Sequence, residues 1–263
     1  MTLTATHDSA PHAWSHQLAQ SKPEDWSAGY GILVLSGLMW VWYASLIARF
    51  TSEHAFGAGL VWLLAMVVWL MLQVFIARAH LPERNSHVFP TLVQALLPTG
   101  LTLAAVIYFP SLREAAVQIA IGAGATELIA IHILRLSAWG TISKFLKGQL
   151  PGYFFRFGSI PDFGFAIFSV IATAWLLVLD SPAPPGLLVA YSIAGIAAFF
   201  GAATTMYFGV PGSALSWRWS RVEMGEEAPT FLPFRWPMNL APSFCGPVFW
   251  LAHCLLIAKV LMA

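Results

Sequence analysis

Long apolar runs alternate with short polar breaks along the whole chain. "GILVLSGLMWVWYASLIARF" has an arginine next to its end, and "LVWLLAMVVWLMLQVFIAR" follows after a short break and closes on another. An α-helix rises about 1.5 Å per residue, so about 20 apolar residues cross roughly 30 Å of hydrocarbon. Runs of that length recur through to the last residues. They predict seven spans, at 28–48, 57–77, 88–109, 114–134, 163–180, 185–209 and 241–261. The predicted fold class is therefore all-α: a polytopic bundle of seven transmembrane helices over 28–263, behind a polar tail at 1–27.

Composition strengthens this reading. Of the 263 residues 58% are hydrophobic and only 10% charged, too few charges to cover a soluble globule of this size. The tail carries His7, His12, His16, Glu24 and Asp25 and lacks the basic start and short apolar core of a cleaved signal peptide, so the first span is read as a retained anchor. A net charge of +1 gives no argument for nucleic acid. The expected partners are the lipid bilayer and either another membrane protein or a second copy of the chain.

The basic residues are sorted by topology. Of 13 lysines and arginines, all but Arg49, Arg113 and Lys259 fall on the side of the N-terminus. That asymmetry predicts a cytoplasmic N-terminus and an outer C-terminus. Two cytoplasmic connections are long. "WGTISKFLKGQLPGYFFRFGSIPD" places Ile142, Phe145, Leu146 and Leu150 at helical spacing, as in a short helix lying among the headgroups. From about Pro211 to Leu240, "SWRWSR" and "FLPFRWP" read as interfacial anchors around the acidic "EMGEE".

Ionisable groups inside hydrocarbon are costly, and each is a functional candidate. The fourth predicted span carries Gln118, Thr126, Glu127 and His132 and ends on Arg135. Ala116, Ala120 and Gly124 recur at four-residue spacing, which favours a central, closely packed helix. Glu127, past the middle of that span, is expected to face protein, either as a proton- or ligand-binding carboxylate partnered from another helix or as a hydrogen-bonded packing group. His132, near the headgroups, reads as interfacial. Asp162, in the first turn of the fifth span, either caps that helix or points into a cytoplasmic vestibule. In the last span Pro242 falls in the first turn, where proline is tolerated. Pro247 has no N–H for the carbonyl of Ser243, so a kink with a freed carbonyl is expected there. His253, near mid-membrane, is a packing element or a ligand. Gln73, Gln94 and Pro98 add polarity or irregularity to the second and third spans. The candidate ligand- or proton-binding set is Glu127, Asp162, His253, His132 and Gln118.

Several chemistries lack their marks. Lys259 lies at the outer end of the last helix, where it can snorkel to the headgroups rather than hold a retinal. Histidine boxes and paired Asp-rich segments are missing from the sequence. His80, His87 and Glu83 flank one short loop, a weak metal pattern better read as solvated. Bis-histidine haem ligation by His132 and His253 requires equal depth, and the predicted spans set them apart. Cys245 and Cys254 lie about 13 Å apart along one helix and do not pair with each other within it. No cofactor, metal or catalytic residue is expected.

"LPGYFFRFGSIPDFGFAIF" and "PMNLAPSFCGPVFWLAHCLL" resemble a group of uncharacterised bacterial seven-helix membrane proteins. In that group a Gly-x-x-Asp turn leads into the fifth helix, and the last helix has a proline-spaced start and a histidine. The matching positions are Gly158 or Ser159 with Asp162, then Pro242, Pro247 and His253, over about a fifth of the chain. The acidic loop before the last span departs from the pattern. The resemblance implies a bacterial cytoplasmic-membrane fold and no particular activity. The expected function is a small transporter or channel with a polar cavity between the fourth, fifth and seventh helices. The alternatives are a non-catalytic accessory or assembly subunit and a lipid-modifying enzyme using Glu127, Asp162 and His253 as acid and base.

Overall fold

A computed structural model describes residues 26–78, 89–147, 154–178, 183–208 and 239–262. The N-terminal tail, the His80, Glu83 and His87 group, Leu150 and most of the second long connection lie outside the described residues.

Every regular element among the described residues is helical. They are α1 (Trp26–Phe50), α2 (Glu53–Arg78), α3 (Phe89–Tyr108), α4 (Pro110–Gly122), α5 (Ala125–Ala130), a 3₁₀ segment (Ile131–Ala138), α6 (Trp139–Leu146), a π-helical turn (Phe154–Ser159), α7 (Ile160–Val178), α8 (Pro185–Phe208), a second π-helical turn (Ala241–Cys245) and α9 (Gly246–Met262). Four of the helical stretches, Tyr30–Phe50, Glu53–Ala77, Phe155–Val178 and Ala241–Met262, are long and apolar enough to cross a membrane; α3 and α4 make a fifth if taken as one bent span.

The helices are apolar on both faces, which is why they need hydrocarbon rather than water around them. On α1, Leu35, Met39, Tyr43 and Leu46 recur at helical spacing and are buried, while Val34, Leu38 and Val41 face outward. Outward apolar residues such as Leu64, Val68 and Phe75 on α2 and Ile171, Leu177 and Val178 on α7 complete a lipid-compatible surface.

The expected fourth span, 114–134, is not one straight helix. Pro110 opens α4, and proline excludes the helical region for the residue before it. Phe109 is accordingly extended (φ −106°, ψ 105°), and the chain turns by 105° between α3 and α4. A second break follows at Ala123 and Gly124, both extended. The carbonyls that α4 leaves free at its C-terminal end are taken by Lys259 of α9, whose Nζ donates to Ile121 at 3.0 Å and to Ala120 at 3.4 Å. A cation suits that helix end. Lys259 therefore tethers α9 to α4 rather than simply snorkelling.

Close packing follows small residues, though not all those expected. Ala120 is fully buried, and a Cβ on Gly122 would meet the Phe50 ring. Gly124 has nothing within 4 Å of its would-be Cβ, so the small-residue stripe stops at the break.

The last span has its irregularity where Pro247 demands one. The turn over Ala241–Cys245 is π-helical, and the carbonyl of Ser243, which Pro247 cannot serve, accepts the indole N–H of Trp69 at 2.8 Å. The expected freed carbonyl is thus satisfied from α2. Pro242 sits within the π-helical turn, fully inside the protein.

Candidate functional site

The 3₁₀ segment, α7, α8 and α9 bring their polar groups to one place inside the bundle. His132 and Arg135 come from the 3₁₀ segment, three residues apart and so on one face of a helix with three residues per turn. Asp162, Phe165 and Ser169 come from α7, Tyr191 and Gly195 from α8, and Phe249 and His253 from α9.

His132 and His253 are both completely buried. Their rings stack with centroids 3.9 Å apart and planes 17° from parallel. Neither nitrogen of either ring has a hydrogen-bond partner. The pair is enclosed by aromatic rings: Phe249 lies 5.5 Å from His132 and Tyr191 5.7 Å from His253, with Phe165 edge-on to both. The room for His253 exists because residue 195 is glycine; a Cβ there would run into Nε2 and Cε1 of His253 and the tip of Phe165.

Among the described residues Arg135 is the largest fully buried side chain, 1% exposed. Its guanidinium carbon lies 4.9 Å from the centroids of both Phe165 and Phe249, so aromatic faces cover it. Its Nε stands 3.5 Å from Oδ1 of Asp162, close enough for an ion pair, yet Nε and Nη1 make no hydrogen bond. Asp162 is less deep, its side chain 31% exposed. Nearby, Ser169 donates to the carbonyl of Phe165 at 2.8 Å, so the Tyr191 hydroxyl, 2.6 Å from Ser169 Oγ, donates to it.

The structure redistributes the expected site residues. Asp162, His132 and His253 come together, and Arg135, read from the sequence only as a surface terminator, joins them. His132, read as interfacial, is fully buried within the bundle, and its ring lies against that of His253, from which the predicted spans set it apart. The 3₁₀ segment places it directly against α9. The rings meet face to face, whereas two axial haem ligands point their nitrogens at each other across the iron. Asp162 sits in the first turn of α7 as expected, and its carboxylate engages Arg135.

Glu127 and Gln118 stand apart from this cluster. The break at Gly124 puts Glu127 in the first turn of α5 instead of past the middle of a long helix, and it pairs with Arg49 of α1 at 2.5 Å. Both partners are partly exposed, at 24% and 56%. Gln118 accepts the backbone N–H of Ser52 at 2.8 Å and donates to Glu114 at 3.0 Å, which braces the turn between α1 and α2.

Two apolar cavities of about 240 and 230 Å³ lie along α2, α3 and α9, divided by Trp62, Thr102 and Leu251, which line both. Trp62 donates to the Thr102 hydroxyl at 3.1 Å across this neck. Neither cavity is lined by the histidine cluster. Among the described residues no three His, Cys, Asp or Glu side chains gather as metal ligands.

Comparison of the chain with protein-family profiles, with curated proteins and with solved structures gave no match.

Proposed function

We propose that this chain is a small-solute transporter or channel of a bacterial cytoplasmic membrane. In this reading it has seven spans, a cytoplasmic N-terminus, and a working site at the His132, Arg135, Asp162 and His253 cluster. The bulk of the lysines and arginines on one side of the predicted spans supports the orientation.

One observation carries the assignment: two imidazoles and a guanidinium, all at most 1% exposed, keep six nitrogen atoms without a hydrogen bond. A buried polar atom without a partner costs about 1–3 kcal/mol, so a packing role alone would favour apolar residues at these positions. A site that meets its polar partners only when a solute enters accounts for the cost. The cluster is closely packed in this structure, and passage requires α7 or α9 to shift. Both helices begin in π-helical turns, irregularities that recur at functional sites.

The test is flux into vesicles containing the purified full-length protein, followed with an enclosed pH-sensitive dye and with radiolabelled solutes. Wild type should carry flux that the double variant His132→Phe/His253→Leu abolishes. Equal flux in the two proteins would remove the cluster from the pathway.

A further inference from the structure

We infer that the cluster takes a small monovalent anion of about the size of chloride, nitrate or formate, together with one proton. This identifies the solute class for the transport reading above and rests on that reading.

The first support is the balance of donors. A guanidinium has five N–H donors and no acceptor, and each neutral imidazole adds one N–H. Arg135 Nε and Nη1 are unbonded, as are all four imidazole nitrogens. The nearest carboxylate, Asp162, stands 3.5 Å from Nε. Because Phe165 and Phe249 cover the guanidinium, its remaining capacity is in the plane of its N–H groups, where compact anions bind. A cation entering here would meet the Arg135 charge. The cluster is filled at Gly195, where a Cβ would collide with His253 and Phe165, so the anion enters only as α7 or α9 shifts.

The second support is charge. Arg135 and Asp162 sum to zero, so an anion alone would leave a net negative charge among buried aromatic rings, an expensive state. An imidazole nitrogen with no other partner can accept a proton and restore neutrality. The rings are stacked at 3.9 Å, so only one of them takes the charge. The groups around the imidazoles are Arg135 beside His132, Asp162 on α7 and Tyr191 on α8. The neighbouring elements bring Tyr43 on α1, committed to the carbonyl of Val248, Cys245, 3.6 Å from Ser36, Cys254 beside His253, and the buried Lys144 on α6. The step is one reversible proton transfer: a hydronium O–H bond breaks and an imidazole N–H bond forms as the anion enters, and the proton returns to water as the anion leaves.

The experiment uses the full-length protein in detergent. Thermal unfolding is followed by tryptophan fluorescence in sodium chloride, nitrate or formate against sodium gluconate at equal ionic strength, at about pH 5.5 and about pH 8, either side of the usual imidazole range. Reconstituted vesicles are then given the same anion gradients. The expected result is a rise of several degrees in the unfolding temperature with the small anions at the lower pH, a smaller rise at the higher pH, and lumenal acidification driven by inward anion gradients. Arg135→Gln should lose all three; if it does not fold, His132→Phe, which keeps a ring in place, should lose the pH dependence and the acidification. Equal unfolding temperatures in all four salts overturn the anion inference, even if some other solute is transported. Anion stabilisation without flux supports the anion site and overturns the transport reading. Stabilisation that persists unchanged in both variants places the anion elsewhere and overturns the assignment, and stabilisation independent of pH overturns the proton.

Discussion

The rings of His132 and His253 lie face to face, 3.9 Å between centroids, on two segments 121 positions apart in the chain and with no hydrogen bond to any of their nitrogens. In the proposed transport role, stability and function make opposite demands on this pair. Packing alone would place phenylalanine there.

His132→Phe should therefore keep or raise the unfolding temperature while abolishing flux. The exchange removes two orphaned nitrogens, each costing about 1–3 kcal/mol, from a ring-shaped site already lined by aromatics. Unfolding in detergent and vesicle flux check the two halves separately. A variant that is much less stable would mean that the imidazole is a structural group.

Gly195→Ala should destabilise the protein by about 1–3 kcal/mol, the range for overpacking a filled interior, because the new methyl would strike His253 and Phe165. Combining it with His253→Ala should recover part of that loss, since contacting sites are not additive. A double variant whose cost is the sum of the two single costs would contradict the contact.

Trp69→Phe should cost about 1–3 kcal/mol by stranding the Ser243 carbonyl, which accepts the indole at 2.8 Å. In a Pro247→Ala background the cost should shrink, because the restored amide of residue 247 can serve the same carbonyl. A double-mutant cycle on unfolding temperature measures this coupling.

Glu127→Gln should have little effect. Its ion pair with Arg49 is partly exposed, and such pairs are typically worth about 0.2–1 kcal/mol. Flux within about twofold of wild type is the expected outcome. A total loss would return Glu127 to the pathway and require that the bundle end where it meets Arg49 be part of the working site.

Much of this protein was legible without coordinates, because hydrocarbon imposes its requirements on single segments. Apolar runs of span length, a proline that cannot serve Ser243, and Asp162 at the head of α7 are local features; among the described residues four or five of the seven expected spans are long and apolar enough to cross, and the other two features are present. His253 and Asp162 stood out as ionisable groups in apolar surroundings by the same one-dimensional logic. Depth and partnership are not local. Reading 114–134 as one straight helix placed Glu127 deep and His132 at the surface, whereas the break at Gly124 starts a new helix in which Glu127 is partly exposed, and His132 is fully buried. The bend at Phe109 falls between the spans read at 88–109 and 114–134, and its local cause is Pro110, which constrains the residue before it. Arg135 ended an apolar run and so looked like a surface terminator. Only the crossing of α7, α8 and α9 over the 3₁₀ segment shows that its charge is enclosed by Phe165 and Phe249 and faces Asp162. The sequence by itself determined the solvent this chain requires and which residues would be costly within it. Which of those residues meet was decided by the tertiary packing, since a contact between distant segments depends on the bends and glycine gaps that bring their faces together.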